Sequence, residues 1–316
     1  MKSKVLAVGN AELKLKMSVD MIPVAGHTAV GNKYERLPSG SAVLISSALC
    51  AYGNDVATLA KVGADSNGAK LRQFLESAGA DTKYMASDRL APTGLSSIIC
   101  ESDRTEREIL FEGANPCLSV ADTEEAFNSF PDAVVACADA QREAVTAATV
   151  YASREDIPVF LFAVGPYAGS LTPERLKHIK AVIIDSDNIR RYTGLTPGTV
   201  DASLKACIAL AAKISADYYI LRLGSRGIFL YDGKYYNVVT AVESSLADTT
   251  ATSAAFFTAA LITMYNHSSD MRHACEYASC AECCCLAHNS NALRYPTPEE
   301  VKNYIIENGF EERMSN

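Results

Sequence analysis

Residues 38–80 read PSGSAVLISSALCAYGNDVATLAKVGADSNGAKLRQFLESAGA. Three elements follow one another in this stretch. An apolar helix spans about 41–52, the β-branched run VATLAKV (56–62) is a strand, and a second helix occupies 67–78. The second helix is entered through VGADSNG, where Asp65 stands ready to cap it. Helix and strand in alternation specify a mainly parallel sheet covered by helices on both faces.

The same rhythm continues on either side. KVLAV (4–8), AVVAC (133–137), PVFLF (158–162), AVIID (181–185) and YYILRL (218–223) read as strands. Helices are expected near 140–153, 200–215, 254–265 and 270–287. Two regions break the pattern, 11–38 and 93–111, which carry strand-like pieces with no helix between them, such as TGLSSIIC and EREILF joined by ESDRT. They are expected to form a small sheet that stands off the main one. With no internal repeat or low-complexity linker, residues 1–316 are expected to fold as one α/β domain with a lid.

Composition narrows the function classes. The net charge is −8 and no run of Lys or Arg occurs, which argues against a nucleic-acid or anionic-membrane footprint and leaves small-molecule chemistry or protein contacts. The opening MKSKVLAVGN is too short in apolar character for a signal-peptide core, and the longest apolar stretch, Ala254 to Tyr265, is about half a membrane span. A cytoplasmic protein with reduced thiols is therefore expected. Five of the ten cysteines crowd together at Cys275, Cys280, Cys283, Cys284 and Cys285. Three consecutive cysteines on one helix point in different directions, so no metal centre is expected there and Cys serves as a small apolar side chain.

In an open α/β sheet ligands settle beyond the carboxyl ends of the strands. Four stretches occupy such places: GNAELKLK (9–16), PSGSAVLISS (38–47), DSDNIRRYTG (185–194) and DTTATSAAFF (248–257).

Residues 38–80 resemble the first half of a PfkB-family, ribokinase-like carbohydrate kinase, with its glycine turn and its V-G-x-D-x-x-G motif. PTGLSSIICESDRTEREILFEGAN (92–115) is similar to that family's P-T-G lid strand and G-A-N turn, and LRLGSRGIFLYDGKYY (221–236), which contains Gly224 and Gly227, to its L-G-x-x-G hairpin. The resemblance runs in order from Val5 to about Val301. It implies a ribokinase-like fold, ATP and Mg²⁺ as cofactors, a sugar-like substrate, and a homodimer joined through the lid strands.

The resemblance also shows where this sequence departs. DTTATSAAFF stands where the family has D-T-x-G-A-G-D-x-F, whose glycines cradle phosphate and whose final acid takes the proton of the attacking hydroxyl. Aligned on Asp248, Thr249 and Phe256, the G-A-G-D falls on Ala251, Thr252, Ser253 and Ala254, so the base is an alanine. The family's sugar-binding Asp falls on Lys14, and the Asn of the turn that begins at Gly40 falls on Leu44. In the N-x-x-E motif Asn188 persists, but Arg191 replaces the Glu that organises the magnesium waters.

Taken without the family, each of these residues has a structural role. Asp248, Thr249, Thr250, Thr252 or Ser253 would cap the helix, Lys14 would be a solvated strand residue, Leu44 core, and Arg191 a surface charge. Asp248, Glu243, Asp185 and Asp187 are the acids nearby in sequence that could replace the lost one. The expected function is ligand binding, regulation or assembly by a catalytically inactive or strongly impaired homologue, with a small-molecule ligand or protein partner. The alternative is an active ATP-dependent kinase of a sugar, nucleoside or related small molecule.

Overall fold

The computed structural model describes residues 3–103, 105–127, 132–137, 139–140, 142–163, 176, 179–242, 250–288 and 294–314. The strands are β1 (Lys4–Val8), β2 (Glu12–Val19), β3 (Gly31–Ser39), β4 (Asp55–Gly63), β5 (Met85–Asp88), β6 (Gly94–Cys100), β7 (Glu106–Phe111) and β8 (Ala133–Cys137). They continue with β9 (Val159–Ala163), β10 (Ile179–Asp185), β11 (Ala216–Arg222), β12 (Ile228–Tyr231) and β13 (Tyr236–Val239). The helices are α1 (Ser41–Ala51), α2 (Ser66–Ala78), α3 (Val120–Phe127), α4 (Arg142–Arg154), α5 (Ser186–Thr193), α6 (Val200–Ala211), α7 (Ala251–Ser268), α8 (Met271–His288) and α9 (Pro298–Glu307).

Among the described residues the strands form two sheets. The larger runs β13-β12-β11-β10-β9-β8-β1-β4-β5 and is parallel except for the β11-β12-β13 hairpins at one edge. Alternate residues of its strands point to opposite faces. Val5 and Ala7 of β1 join the core beneath α1, α7 and α8, whereas Leu6 and Val8 join the core beneath α4 and α6. Helix α1 is apolar on all sides, as expected for a helix held between the sheet and α7. Phe256 of α7 is packed between Tyr52 and Tyr295, with ring centroids 5.1 and 5.2 Å away.

The smaller sheet runs β3-β2-β6-β7 and matches the expected lid. Its period-2 alternation sets Glu12, Glu106 and Glu108 on one face and a run of apolar side chains, with Arg36 and Arg107 among them, on the other. Glu12, Lys14 and Lys16 share a face with Ser96 and Glu108, while Leu13, Leu15, Met17, Ile109 and Phe111 lie on the other.

Some boundaries differ from the sequence expectation for identifiable reasons. The stretch 185–194, read as a loop, is a helix in which Asp185 accepts the Asn188 N–H and Gly194, at φ 75°, ends the element. Helix α7 begins three residues before 254, because Thr250 caps it. Asp65 caps α2 through the N–H groups of Asn67 and Gly68. Asp248, Thr249 and Glu243 lie outside the described residues.

Candidate functional site

The carboxyl ends of β1 and β8 meet the start of α1. Gly40, at φ 93°, makes this junction possible: a Cβ there would lie 2.8 Å from the Asn10 carbonyl carbon and closer still to its oxygen. The Ala42 N–H donates to the Asn10 carbonyl at 3.1 Å, and the Asn10 N–H donates to Ser41 Oγ at 3.2 Å. Ser41 in turn donates to Asp139 Oδ1 at 2.5 Å, which brings the residue two past the end of β8 onto the first helical position of α1. Burial pushes the Asp139 carboxyl up to about 6, against the hydrogen bond from Ser41.

Glu12, the first residue of β2, faces the same place. Burial first and the negative charge of Asp139 second push its carboxyl up to about 7; Glu108 adds to the effect, and Lys14 and Ser39 oppose it. Glu108 itself accepts a hydrogen bond from Ser96 Oγ. Two carboxylates and the cation of Lys14 thus act on Glu12, and a group raised towards neutrality stands at the mouth of the sheet. Lys14 is half-buried on the polar face of the lid. Leu44 is buried in the core, and Tyr295 Oη donates to its carbonyl oxygen at 3.2 Å.

A second group of the expected residues gathers at the first turn of α7. Thr250 and Ser253 close a capping box, Ser253 N–H to Thr250 Oγ1 at 3.1 Å and Thr250 N–H to Ser253 Oγ at 3.0 Å. Ala251 and Thr252 occupy the first two helical positions, and Ala254 is 1% exposed in the apolar core. Ser253 Oγ also donates to Glu282 Oε1 of α8 at 3.0 Å, and Glu282 is ion-paired with Arg222 at the end of β11.

A third group lies at the ends of β10 and β11. Asn188 donates both through its backbone N–H, at 2.8 Å, and through Nδ2, at 3.0 Å, to Asp185, while its Oδ1 is buried without a partner among the described residues. Arg191 is exposed on α5. Gly224 and Gly227, at φ 61° and 86°, shape the turn from β11 into β12.

These residues do not fit a magnesium-bound triphosphate poised for transfer. The N–H groups of Asn188 are committed to Asp185, the Arg191 guanidinium lies three residues along the same helix, and a protein carboxylate is bonded to the α7 turn. Among the described residues no three His, Cys, Asp or Glu side chains converge as metal ligands would. No described helix is long and apolar enough to cross a membrane.

Glu12, Asp139, Arg222 and Glu282 escaped the sequence reading, although each carried a signal. Glu12 lies within the stretch GNAELKLK, Asp139 follows a strand end, Arg222 interrupts the apolar run YYILRL, and Glu282 is the one acid among the crowded cysteines of 280–285.

A doubly covered, mainly parallel sheet with a four-stranded lid is the ribokinase-like α/β fold, as comparison with solved structures shows. Arabidopsis thaliana ribokinase complexed with ribose and ATP superimposes with a TM-score of 0.84 at 20% identity, covering 96% of this chain and 99% of that one. The nucleoside kinase of Methanocaldococcus jannaschii does so with a TM-score of 0.76 at 15% identity, over 97% and 100%. The chain belongs to the pfkB family of carbohydrate kinases, whose model matches residues 2–298. Ribokinase of Bacillus subtilis (strain 168) is 24% identical over 307 residues, 95% of this chain and 99% of that protein.

Proposed function

We propose that this member of the carbohydrate kinase family binds a small polar ligand without appreciable phosphate transfer, and that it acts in regulation or assembly. The observation that carries this reading is the first turn of α7. The base position is Ala254, buried among apolar side chains, and the surrounding turn is closed by its own capping box and by Glu282. A positioned base contributes about 10² to 10⁴ in rate, so its loss leaves little turnover by that route.

Ligand binding finds support in the group Glu12, Asp139, Ser41 and Lys14, which offers acceptors and a cation suited to hydroxyl-bearing or mixed-charge small molecules. A homodimer through the lid is part of the same proposal. The apolar face of that sheet leaves Tyr34 67%, Ile109 55% and Phe111 57% exposed. An uncovered apolar sheet face with open edges favours pairing with a second copy. Residues 1–316 act in this reading as one domain, in the cytoplasm.

The second reading, an active ATP-dependent kinase of a sugar or nucleoside, draws on Glu12, whose carboxyl at about 7 has the acidity of a general base. The deciding experiment is phosphate transfer from labelled ATP with Mg²⁺ to pooled sugars and nucleosides, with an active kinase as control. The wild type is expected to be silent, and the Ser253→Gly/Ala254→Asp variant to gain activity if both substrates still enter. Turnover by the wild type that Glu12→Gln abolishes would establish the second reading in place of the first.

A further inference from the structure

Helix α4 turns one face to the large sheet and the opposite one outward. Ala144, Val145, Ala148 and Ala152 are fully buried and join the core that holds Leu6 and Val8. The outward stripe is Glu143, Ala147, Val150 and Arg154, whose spacing of four, three and four residues keeps them on one line of the helix. Ala147 and Val150 are half-buried, and the two charges are exposed. With Val120 of α3, which is 44% exposed, the stripe lines a groove of about 300 Å³. Tyr151 also lines it, with its ring 5.5 Å from that of Phe127 and 5.6 Å from the Arg154 guanidinium, so the basic end of the stripe has a fixed position.

Glu143 in the first turn and Arg154 in the last each complement the helix dipole. The same placement makes the stripe complementary to its own reverse. Glu143 and Arg154 are centred on the point between Ala148 and Thr149, and so are Ala147 and Val150. In an antiparallel pair about a two-fold axis through that point, Glu143 meets the partner subunit's Arg154 and Ala147 meets the partner subunit's Val150, each contact occurring twice. The small side chain of Ala147 lets the backbones approach, and the apolar centre is flanked by opposite charges, as in a well-formed interface.

We propose that this surface binds a second copy of the chain, with the two α4 helices packed antiparallel. Neither lid pairing nor an inactive kinase centre is needed for it. Where the lid pairs as well, each copy has two self-complementary surfaces, and the assembly is larger than a dimer.

The test is sedimentation velocity of the full chain over a concentration series at low salt. Every sample carries Ile109→Glu/Phe111→Glu, which charges the exposed apolar face of the lid, so lid pairing does not contribute and its failure is distinct from failure at α4. With α4 intact, a dimer is expected that weakens as salt rises. Glu143→Arg and Arg154→Glu each set like charges opposite one another twice, and each is expected to raise the dissociation constant at least about tenfold. Mixed in equal amounts, the two variants face opposite charges again and are expected to regain the dimer as a heterodimer. A monomer throughout the series, a dimer that neither reversal weakens, or a mixture no tighter than its separate components would overturn the proposal; the first result would leave the groove to a small ligand or a different protein. Should either reversal fail to fold by circular dichroism, Ala147→Gln, which crowds the closest approach and leaves both charges in place, decides instead. A weakened dimer in that variant supports the proposal, and an unchanged one refutes it.

Discussion

Glu12→Gln removes a charge that the fold holds at a cost. Glu12 is 9% exposed, and burial followed by Asp139 raises its carboxyl from 4.5 to about 7. The difference, 7 − 4.5 = 2.5, is worth about 3 kcal/mol at about 1.36 kcal/mol per unit. Asp139 is itself raised to about 6 by burial, and the two carboxyls titrate together, so the share belonging to Glu12 is about 2 kcal/mol. The sign follows from proton binding. Between 4.5 and 7 the folded protein holds a proton that the unfolded chain has released, so this stability is present below 4.5 and is lost as pH rises to about 7. Gln is neutral throughout. Urea denaturation of wild type and Glu12→Gln at pH 5 and pH 8 should therefore give the variant about 2 kcal/mol more advantage at the higher pH. Titrating groups that do not interact with Glu12 cancel in this double difference. An advantage that is the same at both pH values would refute the electrostatic account of the Glu12–Asp139 pair.

One further substitution and one labelling reaction probe the scaffold. Gly40→Ala forces a side chain into the left-handed region and against the Asn10 carbonyl, so it should cost about 3 kcal/mol or more and lower the melting temperature by at least about 5 °C; a shift under about 2 °C would contradict the close approach. Burial raises the thiols of Cys275, Cys280 and Cys284 and shields them from reagent, whereas the thiol of Cys117, also raised, is exposed. Limited alkylation followed by mass spectrometry should accordingly label Cys117 in the native protein and reach the α8 thiols only on unfolding. Native labelling of Cys275 or Cys280 would overturn the packing role assigned to that helix.

Much of the architecture was legible in the sequence because its signals are local. The strand cores within 4–8, 56–62 and 133–137 declare themselves by β-branched runs, and the lid by strand pieces with no helix between them. The burial of Ala254 was equally legible, since it opens the apolar run of α7. Short elements such as α5 were missed because a single cap, Asp185, and a single terminator, Gly194, define them.

The character of the site was decided by tertiary structure. Ser41 and Asp139 are 98 positions apart, and Arg222 and Glu282 are 60 apart, yet each pair is bonded. Acidity and pairing depend on distance and on exclusion of water, which no local pattern encodes. The amino-acid sequence thus determined a carbohydrate-kinase scaffold with Ala254 in the first turns of α7. The packing of α8 against α7, and the approach of Glu12 to the residue beyond β8, determined which buried charges meet, because only the folded chain brings those charges together out of water.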